Sequence, residues 1–187
     1  MNETLKIKKM TGVGLFIAIT VVLTLLGNII TIGPVAINLS LIPITIGAIL
    51  FGPTAGFILG AANGVVVLLA PSTGVFLSHN LVATIFTCIL KTGIAGLIAG
   101  FTFKLLKKIN FNFSIVAAAI LTPIVNTSIF GAFVFVFFYN LFFQGQGNNA
   151  FVYFALTSVG WNFLIEILVS AILCPTLIHV SKVILKK

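Results

Sequence analysis

The chain contains no aspartate and no arginine, and its only acidic residues are Glu3 and Glu166. Lack of aspartate excludes the paired acids of aspartyl intramembrane proteases. Lack of arginine removes the planar fork on which most phosphate-handling membrane transferases rely. Charge of either sign is scarce: 6% of residues, against about 25% in an ordinary soluble domain. Cysteine is nearly absent too. Cys88 and Cys174 each sit inside an apolar run, where a thiol is a small buried filler, so neither a disulfide nor a metal pair is expected. No H-E-x-x-H, G-x-S-x-G, C-x-x-C or G-x-x-x-x-G-K-[ST] occurs, which disfavours an enzyme and assigns any ATP hydrolysis to another subunit. No cofactor is expected.

What the chain does have is apolar length. Hydrophobic residues make up 60% of the 187 and the mean hydropathy is +1.29. Apolar runs recur almost without pause from Thr11 to Leu185, which predicts a multi-pass helical protein embedded in the lipid bilayer. The runs are continuous rather than alternating, which argues against a β-barrel. One domain spanning residues 1–187 is expected.

The net charge of +8 comes from lysines that do not form a nucleic-acid-binding face. They fall into three clusters: Lys6, Lys8 and Lys9; Lys104, Lys107 and Lys108; Lys182, Lys186 and Lys187. Flanking lysines mark the cytoplasmic ends of spans. Runs at about Met10–Leu26, Leu39–Phe51, Pro53–Ala70, Leu81–Phe103, Phe113–Phe143 and Ala150–Val183 separate the clusters by even numbers of crossings. The predicted fold is therefore all-α, a single bundle of six transmembrane helices with both termini cytoplasmic. A re-entrant pairing of the second and third runs would preserve the parity. The first run, with lysines before Val13–Leu26 and no small-x-small site after it, is expected to remain as an uncleaved helix.

Small residues recur at helical spacing in three places: Gly14 with Ala18, Gly56 with Gly60 and Gly64, and Gly93 with Gly96 and Gly100. Such stripes let helices approach closely, inside the bundle or on a partner. Pro43 interrupts a short second run and Pro123 precedes the polar cluster Asn126-Thr127-Ser128; irregular backbone at membrane depth is tolerated beside a cavity. Between the third and fourth runs, Pro71–Asn80 reads as an external loop, with Ser78 as the expected cap of the next helix.

The charge at Lys91 is the exception within the apolar runs. It lies about 15 Å along its helix from Leu81, near a bilayer midplane, where a lone ammonium costs about 2.5–3.5 kcal/mol on insertion scales. It therefore needs an anionic partner, from the protein or from a ligand. Asn63, Asn126, Thr127, Asn162 and Glu166 fall at comparable depth, with Asn162 and Glu166 on one helix face and Trp161 and Tyr153 available for an apolar part of a ligand. An internal Lys91–Glu166 pair with asparagines as interhelical glue accounts for the same residues, and both readings stand at this point. His79 and His179 fall at opposite membrane faces and read as interfacial side chains.

The stretch Ile37–Phe57, INLSLIPITIGAILFGPTAGF, extended through Gly64, resembles the second and third helices of the substrate-binding (S) components of energy-coupling factor vitamin transporters. Gly14-xxx-Ala18 resembles the alanine-rich motif by which those components dock on their coupling subunit, with glycine here in place of the usual alanine. The six-helix size agrees, so the resemblance covers nearly the whole chain. Lys91, Pro123–Phe130 and Asn162–Glu166 look most like the pantothenate-type members. The resemblance implies a bacterial cell-membrane subunit that captures a vitamin outside and docks on a coupling transmembrane subunit with two ATPase subunits. In that reading Asn63, Lys91, Asn126, Thr127, Trp161, Asn162 and Glu166 bind substrate, and loops Thr31–Asn38 and Pro71–Asn80 gate the outer mouth. The competing readings are an S component for another water-soluble vitamin, a structural cell-shape protein without a ligand, and a stand-alone proton-coupled carrier using Lys91 and Glu166.

Overall fold

Long, uninterrupted apolar sequence can satisfy its backbone in lipid only as helix, and the computed structural model follows that rule. It describes residues 3–28, 31–32, 35–36, 38–139, 143 and 160–185. Helices α1 (Glu3–Gly27), α5 (Leu81–Leu106), α6 (Phe111–Phe137) and α7 (Gly160–Leu185) have 25, 26, 27 and 26 residues. At about 1.5 Å per residue each exceeds the roughly 30 Å hydrocarbon core. The second and third expected runs are shorter: α2 (Leu41–Phe51) has 11 residues and α3 (Pro53–Leu68) has 16. Counting α3 with the segment Pro71–His79, from which it bends by 79°, as one broken span gives five helices apolar and long enough to cross. With α2 the architecture is an approximate six-helix bundle, all-α among the described residues apart from a pair of two-residue antiparallel strands, β1 (Thr31–Ile32) and β2 (Val35–Ala36).

Local chemistry sets the breaks. Gly52 adopts φ 95° between α2 and α3, a conformation open mainly to glycine, and Pro53 then supplies the fixed φ of a first helical turn. The segment expected as an external loop instead holds a 3-10 turn, Pro71–Thr73, and α4 (Gly74–His79). Ser78 lies inside α4 and donates to the Val75 carbonyl. The cap of α5 is Asn80, whose Oδ1 accepts from the Ala83 N–H at 3.0 Å. At the next helix start Asn110 repeats the arrangement with Phe113 at 3.1 Å. Helix α6 ends at Phe137, earlier than the Phe143 boundary expected from hydropathy. The start of the sixth run, up to residue 159, lies outside the described residues.

The tightest packing is between α3 and α5, where two of the glycine stripes face each other. A methyl group on Gly56 would strike the Gly96 carbonyl, one on Gly60 the Thr92 carbonyl, and one on Gly64 the Cys88 carbonyl. Thr92 Oγ1 lies 2.6 Å from the Gly60 carbonyl oxygen and 3.0 Å from that of Cys88, so one hydroxyl donor serves either side of the seam. Toward the lysine-bearing end, Ala48, Ile49, Ala99, Phe103, Ile115, Ala118, Ala119, Cys174 and Leu177 form an apolar core from α2, α5, α6 and α7. At the opposite end, Phe76, Ala83, Val134, Phe138 and Phe143 pack together. Between them, α5 carries Lys91.

Candidate substrate cavity

Thr84, Thr87, Cys88 and Lys91 recur at three- and four-residue spacing along α5, so one face of the helix presents them together. That face borders a cavity whose other walls are Thr24 of α1, Asn28, Asn38, Val67, the turn residues Ser72 and Thr73, and the rings of Phe76, Phe130 and Phe138. The enclosed space measures about 60 Å³, within about 630 Å³ of non-atom space once the open mouth is counted. Among the described residues, Lys91 is the one charged residue in this lining, and no carboxylate joins it. Its Nζ stands 4.6 Å from the centroid of the Phe130 ring, a cation–π contact that partly offsets the loss of water around the ammonium.

Lys91 and Glu166 do not form an ion pair. Glu166 is buried on α7 and spends its two oxygens elsewhere: Oε1 accepts from the Asn38 backbone N–H at 3.2 Å and Oε2 from the Thr127 hydroxyl of α6 at 3.4 Å. The direct ion pair weighed from the sequence is thus not formed, although Lys91 lies close enough for its charge to act on Glu166.

A second polar cluster adjoins the first. Asn63 of α3 is fully buried, and its Oδ1 lies 2.5 Å from the Thr24 hydroxyl and 2.9 Å from the Ser40 hydroxyl. Ser40 also reaches Asn38 Oδ1. A chain of polar contacts thus runs from α1 through α3 and the start of α2 to Asn38, then to α7 and α6. Asn63 Nδ2 and Asn126 Oδ1 are buried and have no hydrogen-bond partner among the described residues, which leaves one donor and one acceptor available in a region where unsatisfied groups are costly.

Of the expected site residues, Lys91 lines the cavity, Asn63, Thr127 and Glu166 belong to the adjoining polar chain, and Asn126 is buried on α6 without joining it. Trp161 and Asn162 lie in the first turn of α7; their side chains, and Tyr153, lie outside the described residues. Sequence reasoning missed Thr24, Asn28, Asn38, Thr84, Thr87 and Phe130. The spacing of Thr84 and Thr87 ahead of Lys91 was a usable signal for two of them. Gly14 and Ala18 sit on an exposed face of α1, and nothing lies within 4 Å of where a Gly14 Cβ would stand.

The family model described as ECF transporter, substrate-specific component, matches residues 8–178. No curated protein and no solved structure matches the chain. The family match spans nearly the whole chain and agrees with the multi-pass architecture, and so the chain belongs to the substrate-specific components of ECF transporters, membrane transport subunits that associate with an ECF energising module and are not enzymes.

Proposed function

We propose that this chain, acting as one domain, captures pantothenate outside the cell with high affinity and delivers it to a coupling transmembrane subunit carrying two ATPases. The observation that carries the reading is the Lys91 cavity: a single cation, no carboxylate in the walls, and hydroxyl and amide groups around it. An ammonium with no carboxylate in direct contact suits a ligand that brings one, through a charge-assisted hydrogen bond. The hydroxyl and amide groups of pantothenate match Thr24, Asn28, Asn38 and Thr87, each able to donate or accept. Asn63, Asn126, Thr127 and Glu166 support the polar side of the site; Asn162 and Trp161 remain expected contacts on the sequence alone. Folate brings two carboxylates and riboflavin a wide flat ring, and both suit one lysine in a narrow cavity less well. Equilibrium binding of a panel of B vitamins to the purified protein tests this. Pantothenate is expected to bind tightest, tight binding of a different vitamin would reassign the substrate, and no binding at all would refute the reading.

Partner docking is proposed for the exposed Gly14–Ala18 face. A Cβ added at Gly14 meets nothing within 4 Å, and a ring built out from that exposed position would block close approach of another helix. Gly14→Phe is expected to leave vitamin affinity within about twofold and to reduce recovery of the coupling subunit in co-purification about tenfold or more. Equal recovery of the complex would remove α1 from the interface.

A further inference from the structure

Lys104, Lys107 and Lys108 fall at three- and four-residue spacing, so the end of α5 turns all three to one side. That side borders a groove of about 810 Å³ at the end of the bundle opposite the Lys91 cavity. Its other walls come from the end of α2, the Gly52-Pro53 turn and Phe111 at the start of α6. Close packing makes this edge continuous: a Cβ on Gly100 would stand 2.5 Å from Pro53 Cα, so α5 passes directly beside the first turn of α3. The three lysines are exposed, and among the described residues no carboxylate lines the groove. Two helix starts add to the positive potential, because α3, which has no side-chain cap, and α6 both begin there. The rest of the lining is largely apolar. It includes Leu50, Phe51, Phe103 and Phe111; the last two rings meet edge to face at 5.8 Å, and the Lys107 ammonium stands 5.7 Å from the Phe103 ring.

We propose that this groove binds an anionic phospholipid of the cytoplasmic leaflet, with the headgroup phosphate held by Lys104, Lys107 and Lys108 and the apolar part against Leu50, Phe51 and Phe111. The groove is cationic on one side and apolar on the other, and it lies at the lysine-marked membrane surface, where headgroups sit. That combination fits an amphipathic anion better than a soluble one. Placement of lysines at the cytoplasmic ends of spans does not by itself require them to share a groove. Lys6, Lys8 and Lys9 flank α1 in the same way, yet they are exposed along the start of that helix and line no part of this groove. The two clusters carry equal charge and differ in surroundings, which gives the test its control. The inference concerns the end of the bundle away from Lys91 and is independent of which vitamin that cavity takes.

Native mass spectrometry of the whole chain, delipidated in detergent and titrated with phosphatidylglycerol or phosphatidylcholine of the same acyl chains, reads the site. The parent is expected to retain phosphatidylglycerol with about tenfold or greater preference over phosphatidylcholine. The triple variant Lys104→Gln, Lys107→Gln, Lys108→Gln is expected to bring that preference within about twofold of none. The variant with equal loss of charge, Lys6→Gln, Lys8→Gln, Lys9→Gln, is expected to keep it. If the first triple is not recovered folded, Lys107→Gln alone is the readout, with an expected loss of about threefold or more. Four results would each overturn the proposal. No preference in the parent would leave the groove without a lipid, and equal loss in both triples would show unselective attraction to basic surface. Displacement of the lipid by an equal concentration of glycerol phosphate would show a site for soluble anions. Unchanged lipid retention with loss of coupling-subunit recovery in the groove triple would assign the groove to the partner protein.

Discussion

Lys91→Ala is expected to weaken binding of a monocarboxylate vitamin by about 2 kcal/mol or more, roughly thirtyfold, as measured by titration calorimetry on the purified protein. The size follows from the environment. The ammonium meets an aromatic face and no carboxylate, so its strongest available partner is an anion brought by the ligand. Lys91 is half-buried beside the cavity, where a charge-assisted contact exceeds its value at a fully exposed site. Removing the side chain leaves a ligand carboxylate beside Phe130 and threonine hydroxyls, without a countercharge. Lys91→Arg tests whether charge suffices: the flat, longer guanidinium must share a small space with Phe76, Phe130 and Phe138, so partial recovery of affinity is expected. Equal affinity of Lys91→Ala and the parent would show that the ligand carboxylate lies elsewhere.

The second large effect is structural. Gly60→Val is expected to destabilise the bundle by about 3 kcal/mol, the upper end for over-packing, and to lower the yield of monodisperse, detergent-solubilised protein. The added Cβ would meet the Thr92 carbonyl carbon at 2.4 Å and the Gly93 nitrogen at 2.7 Å. These are backbone atoms of α5 that no rotamer change can move aside, so α3 and α5 would have to separate, and the Thr92–Gly60 hydrogen bond would break with them. Gly14→Ala is the control, because its Cβ meets nothing within 4 Å; its thermal midpoint is expected to match the parent. Equal midpoints for Gly60→Val and the parent would contradict the close α3–α5 approach on which the placement of Lys91 depends.

Much of this arrangement was legible in the residues themselves. Four-residue spacing of Gly56, Gly60 and Gly64 announced a close helix contact, and Gly96 with its neighbours on α5 supplied the matching face. Lys91 announced a site because a charge inside an apolar run must be compensated. The identity of its surroundings was less legible. Asn28, Asn38 and Ser40 reach the site from a link and from a helix start whose positions depend on long-range packing, which hydropathy periodicity does not encode. Glu166 shared Lys91's depth and opposite charge, so an ion pair was a natural reading. Depth along a helix fixes neither rotation nor neighbours, and in the structure a backbone N–H and a threonine hydroxyl claim the carboxylate instead. Helix ends were similarly obscured: Ser78 and Asn80 both suit a cap, and only the backbone geometry, extended at Asn80 with φ −152°, selects between them.

The central claim is that Lys91 is the counter-ion of a vitamin carboxylate in the cavity between α1, α5 and α6. Mass spectrometry of the small molecules retained by gently solubilised protein, run in parallel on the parent and on Lys91→Met, tests it most directly. The account predicts a water-soluble vitamin with one carboxylate, pantothenate in the present reading, in the parent and its loss from Lys91→Met. Retention of the same molecule by both proteins, or of no vitamin by the parent, would contradict it.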